Sequence, residues 1–164
     1  MRSLVWCAVL SLVCLSPAPA DPQPAQKAPP PTMVELPGFP VEIALSPKAR
    51  QKLVSARETV IVAVYLYANP KKSVPAKFVD EMGQVNLGEA RTEVAPGENA
   101  TLLPFHVKKL ALDRVDDDGV QVNLNVFSGR KSSPDNLVDC GIWEGPLKDA
   151  ATAKIHIACK LIGE

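Results

Sequence analysis

The chain is short of the groups that usually mark an active site. Among its 164 residues are only two histidines, two tyrosines and two tryptophans, with four phenylalanines. Zinc and acid–base centres draw several imidazoles, thiols or carboxylates to one point. The sequence contains no H-x-H, no C-x-x-C and no Met-rich run, which removes the usual copper- and zinc-carrier patterns. There is also no G-x-S-x-G elbow and no phosphate-cradling glycine loop, so the common nucleophilic and nucleotide-binding motifs are absent.

Excess charge is missing too. Lys and Arg number 18, Asp and Glu 18, whereas a surface that tracks nucleic acid needs clustered basic excess to neutralise phosphates. No nucleic-acid partner is expected. Apolar runs are short: the longest, Leu4 to Leu15, is interrupted only by Ser11 and falls well below the roughly 20 residues needed to span a bilayer.

That run has another use. Arg2 precedes it, and Ser16-Pro17-Ala18-Pro19-Ala20 follows, with Ala18 and Ala20 in the small-residue positions of a cleavage site. This layout predicts a secretory signal peptide over residues 1–20 and a mature protein, periplasmic or extracellular, that is not stably inserted in a membrane. Neither Cys7, behind Trp6, nor Cys14, behind Val13, has the small preceding residue of a lipid-attachment site. Cleavage removes Arg2 and no acid, leaving a formal charge of −1.

Residues 21–32, DPQPAQKAPPPT, have no apolar face and are dominated by proline, which predicts an extended, disordered tether. Residues 33–164 then form one domain. The dominant pattern there is alternation with a period of two, punctuated by Gly, Pro, Asn and Asp, and it predicts a mainly β fold. The expected architecture is an antiparallel β-sandwich, Ig-like or transthyretin-like, with about seven to nine strands, one short helix and one disulfide.

Val41, Ile43 and Leu45 mark a first strand. Ser46-Pro47 opens a short helix through Val54, with Ala49, Leu53 and Val54 on one face. Glu58 to Ala68 is rich in β-branched and aromatic residues on both faces, as expected of a central strand covered on both sides. Strands are expected at 76–79, 84–94 and 101–108, the last with Leu103, Phe105 and Val107 pointing one way. Leu110 to Val115 and Val120 to Phe127 flank Asp116-Asp117-Asp118-Gly119, a hairpin signal, with Val120, Val122, Leu124 and Val126 inward. The last strands are expected at 137–143 and 153–162.

Cleavage leaves two cysteines, Cys140 and Cys159, each on the apolar row of an expected strand. In an exported protein this predicts a buried disulfide.

Three further groupings invite chemistry. Aligning Gly119 with the glycine of a calcium loop puts Arg114 at the first ligand position and Asn125 at the twelfth, where carboxylates are required. The EF-hand reading fails. His106 and His156 sit on the polar sides of their strands and nothing in the spacing makes them converge; no metal and no cofactor are expected. Tyr65, Tyr67 and Trp143 are the residues from which a small aromatic platform for carbohydrate would be built. Asn99-Ala100-Thr101 matches a glycosylation acceptor triplet.

The segment singled out for binding is the loop Ser128–Asn136, SGRKSSPDN, polar, basic at its tip and leading into the Cys140 strand. Loops held by rigid scaffolds are where binding residues concentrate, so Ser128, Arg130, Lys131, Ser132 and Asn136 are the candidate contacts. The expected function is a non-enzymatic exported protein that recognises another exported protein or a small ligand through end loops. The alternative is a secreted inhibitor or immunity protein using this basic loop. A third reading is a metal-dependent hydrolase built on His106, His156 and Asp116 to Asp118. N-terminal sequencing of the exported protein should find Asp21 first; retention of Met1 would remove the export reading.

Overall fold

A computed structural model describes residues 30–164. The expected signal peptide and most of the tether lie outside the described residues. The described chain is mainly β, with ten strands in three sheets, three helices and one disulfide.

The largest sheet has the order β4-β3-β7-β9, antiparallel throughout: β4 is Val85–Val94, β3 Val60–Ala68, β7 Gln121–Ser128 and β9 Trp143–Pro146. β3 is central, as its composition demands. Its inward row, Val60, Val62, Val64 and Leu66, is buried, but Ile61, Ala63 and Tyr65 on the opposite face are only half-covered. The expectation of cover on both sides is corrected: one face meets the core and the other stays partly open. β7 supplies the matching buried row, Val122, Leu124 and Val126.

The second four-stranded sheet has the order β5-β2-β10-β8: β5 is Ala100–Thr101, β2 Pro40–Leu45, β10 Ile155–Leu161 and β8 Val138–Cys140. Here β2 and β10 run parallel while the other pairs are antiparallel. The sheet is therefore mixed, where an antiparallel one was expected. Parallel neighbours need a long crossover, and the rest of the domain provides it. A small third sheet pairs β1, Met33–Leu36, with β6, Phe105–Lys108. One continuous core takes buried residues from both large sheets, from β6 and from helices α1 and α3, Pro47–Ser55 and Leu147–Thr152.

Ser46 caps α1, accepting from the Ala49 N–H at 3.1 Å, with Pro47 behind it in the first turn. Ala49 and Leu53 are buried, whereas Val54 is exposed, one step of about 100° around the helix from Leu53.

Several expected strands break where the local chemistry resists pairing. Thr101 to Lys108 divides at Pro104, which has no N–H for a ladder. Its first part joins β2 as β5, its second joins β1 as β6, and Leu103 is left 77% exposed. The expected strand 137–143 divides at Gly141: β8 lies in one sheet and β9 in the other, with Ile142 66% exposed between them. The hairpin expected around Asp116–Gly119 is not formed. Lys109–Leu112 instead makes a helical turn, α2, its end closed by a Lys109–Asp113 ion pair at 2.7 Å four residues apart. Val115 bridges to Pro70, and β7 pairs with β3 and β9. Ala76–Phe78, led by Pro75, is a 3₁₀ turn rather than a strand. The last strand begins only at Ile155, after α3 has ended at Thr152 with Ala153 as its cap.

Cys140 and Cys159 are directly opposed on β8 and β10, with Cα atoms 4.1 Å apart and their sulfurs bonded. Cys159 is buried in the row of Ile155 and Ile157, and Cys140 is half-buried. The bond ties β8 to β10 immediately before the chain crosses to the other sheet at Gly141. Chain-entropy reasoning gives such a bridge about 3 kcal/mol. Reduction should lower the melting temperature without unfolding the domain at room temperature, read by circular dichroism before and after reductant.

Candidate binding loop and the sheet face beside it

The loop between β7 and β8 is organised by a residue far away in sequence. Arg57, with φ of 53°, reverses the chain after α1, and the Glu58 N–H bonds the Leu53 carbonyl at 2.8 Å. Glu58 is thereby turned inward, only 2% exposed. Its carboxylate accepts from the N–H groups of Thr59, Lys131 and Ser132, each at 2.9 Å, and from the Ser132 hydroxyl at 2.8 Å. Burial alone would raise this carboxyl. The hydrogen bonds from Ser132, Thr59 and Lys131 outweigh it and hold the pKa at about 2.

The turn that presents these donors uses a left-handed Arg130, φ 57°, and a residue without a side chain at 129. A Cβ on Gly129 would sit 2.0 Å from the Thr59 hydroxyl oxygen. At the base of the loop, the Asn136 Oδ1 accepts from the Ser128 N–H at 2.9 Å, and the Ser128 hydroxyl accepts from the Leu137 N–H at 2.9 Å. The Asn136 amide also donates to the Val138 carbonyl at 2.7 Å.

The five candidate contacts therefore fall into two groups. Ser128, Ser132 and Asn136 direct their polar atoms into the loop's own frame. Arg130 and Lys131 are exposed. The Lys131 ammonium pairs with Glu93 on β4, whose carboxyl it holds below the usual range, and the Arg130 guanidinium lies 5.9 Å from the centre of the Phe127 ring. Glu58 itself was not among the sequence candidates. It reads as the polar start of a strand, and its partners on the loop lie 73 and 74 positions further on.

Beside the loop runs the outward face of the β4-β3-β7-β9 sheet. Tyr65 and Tyr67 share it, their rings stacked on one another with centroids 5.9 Å apart and planes at 15°. Tyr67 is buried and Tyr65 half-buried, so little of either ring is open. Trp143 pairs with Leu124 of the buried row and packs against the core, so the three aromatics are not brought together as a platform. The tyrosine hydroxyls are occupied: Tyr65 donates to Asp80 at 3.1 Å, and Tyr67 donates to Glu144. The bond to Glu144, with burial, pushes the Tyr67 hydroxyl up to about 12; burial and the Asp80 bond raise Tyr65. Asp80 is held low by the Gln84 and Met82 N–H groups and the tyrosine, closing its own turn.

The remaining groupings stay apart. His106 lies 3.5 Å from Glu35 on the β1–β6 pair, and His156 lies 3.6 Å from Glu42 on the β2–β10 pair. The two imidazoles thus belong to different sheets. Asp116 accepts from the Asp118 N–H at 3.2 Å within its turn. Among the described residues no group of three or more His, Cys, Asp or Glu side chains is placed to hold a metal ion. Asn99 is exposed, its Oδ1 accepting from the Ile43 N–H at 3.2 Å.

Compared with known proteins, the chain matches no family model, no curated protein and no solved structure.

Glu58→Gln should destabilise the fold by about 1–3 kcal/mol at neutral pH, because it removes the charge that its donors were arranged around. Folding lowers this carboxyl from 4.5 to about 2, so its stabilisation is full above 4.5 and is lost as pH falls toward 2. The gap in stability between parent and variant should close across that window in urea titrations. A gap independent of pH would refute the role given to the charge.

Proposed function

We propose that the protein is an exported, non-enzymatic binding domain that recognises another exported protein through the loop Ser128–Asn136. In this reading the two four-stranded sheets are the layers of a β-sandwich, Ig-like or transthyretin-like, and the loop stands at one end. The single observation that carries it is the anchoring of Lys131 and Ser132 to the buried Glu58 carboxylate. A loop already held in one shape gives up little conformational freedom on binding. Its outward groups are the Arg130 guanidinium and the Lys131 ammonium, the latter shared with Glu93.

Arg130 narrows the kind of partner. A guanidinium fork matches carboxylates with paired hydrogen bonds, which favours a partner with an acidic recess. That is the surface an inhibitor or immunity protein would enter. The disulfide and the signal layout of residues 1–20 support an oxidising, exported compartment.

Affinity capture from the exported fraction should retain a partner on the parent protein and lose it on Arg130→Ala/Lys131→Ala, while the variant keeps its melting temperature to within a few degrees. Capture undiminished by the double substitution would rule the loop out.

A further inference from the structure

β4 is the outermost strand of its sheet, and beyond an irregularity opposite Leu66 and Tyr67 its ladder with β3 is regular from Gly88 to Val94. Which of its backbone groups are free follows from the ladder. Across the β3–β7 pairing the Gly129 N–H donates to the Thr59 carbonyl, and antiparallel bonding alternates along a strand. Odd-numbered residues of β3 therefore bond β7, and even-numbered ones bond β4. Val60, Val62 and Val64 oppose Val94, Thr92 and Ala90, so the N–H and C=O groups of Glu89, Arg91 and Glu93 point away from the sheet. Among the described residues, no turn or side chain bonds them.

A long strand edge with open donors and acceptors is a template for another strand. Two features say what that strand is. The inward side chains along this edge are small, Gly88, Ala90 and Thr92, and they border a recess of about 320 Å³ with Leu102 and Phe105, flanked by the exposed Leu103. The outward side chains alternate in sign. Glu93 is held by Lys131, but Glu89 and Arg91 have side chains 70% and 64% exposed, with only a 4.0 Å contact to each other.

We propose that β4 pairs antiparallel with β4 of a second copy about a two-fold axis at Ala90, merging the two sheets. Free groups must meet free groups, so odd-numbered residues face odd-numbered ones. A two-fold at Ala90 sets Glu89 opposite Arg91 of the second copy, twice by symmetry, and opposite charges directly across a ladder are favourable. A two-fold at Arg91 would oppose Arg91 to itself and Glu89 to Glu93. One at Thr92 would need Glu93, which Lys131 already holds. The joint covers the edge beside Leu103.

Sedimentation velocity on the protein purified after export should show a dimer that dissociates on dilution. Glu89→Arg and Arg91→Glu should each weaken it by about tenfold or more, with melting curves like the parent's. An equimolar mixture of the two variants should regain the dimer, because their charges complement each other across the joint. A parent that stays monomeric, a dimer indifferent to Glu89→Arg, or a mixture that fails to associate would each overturn the proposal.

Discussion

The buried row of β3, Val60, Val62, Val64 and Leu66, is the constraint around which the other elements are arranged. A row of branched side chains on a pleated strand stabilises the fold only when it is kept from water on that face. β7 extends the row with Val122, Leu124 and Val126, and β2 and β10 contribute Val41, Ile43, Ile155 and Ile157 to the same core. Once these rows share one interior, the positions of the short pieces follow. β8 and β9 are two ends of one stretch of chain, divided because Val138 and Trp143 pack against the core from different sheets. The disulfide secures the first of them just ahead of the crossing.

The Glu58 carboxylate does for the loop what the apolar rows do for the sheets. A charge so well buried would be costly without partners. Here Thr59, Lys131 and Ser132 supply four donor groups, and the ionised form is favoured in spite of the burial. The same bonds satisfy the backbone N–H groups of Lys131 and Ser132 on their inner side. Shape and charge at this end of the molecule are thus coupled. With the backbone beneath it occupied, the loop turns its side chains outward, Lys131 to Glu93 and Arg130 over the Phe127 ring.

The outward face of the β3 sheet is more settled than its composition suggests. Its tyrosine hydroxyls are bound by Asp80 and Glu144, and Glu93 by Lys131. Open backbone donors and acceptors run along the outer edge of β4.

By itself the sequence determined the local and periodic features. The β character, the central place of β3, the inward row of β7, the Ser46-Pro47 start of α1 and the place of each cysteine on its strand's apolar row are all carried by residues a few positions apart, where side-chain direction repeats every two or 3.6 residues. Tertiary structure alone decided what depends on distant partners. The chain breaks at Pro104 and Gly141 send neighbouring half-strands to different sheets, because each apolar residue goes where the core has room. The parallel pairing of β2 with β10 joins the two ends of the described domain, which no local signal encodes. The anchor of the loop Ser128–Asn136 belongs to the same class. Glu58 looks like the polar first residue of a strand until residues 131 and 132 fold back over it, since a carboxylate has no structural role to read before its donors arrive.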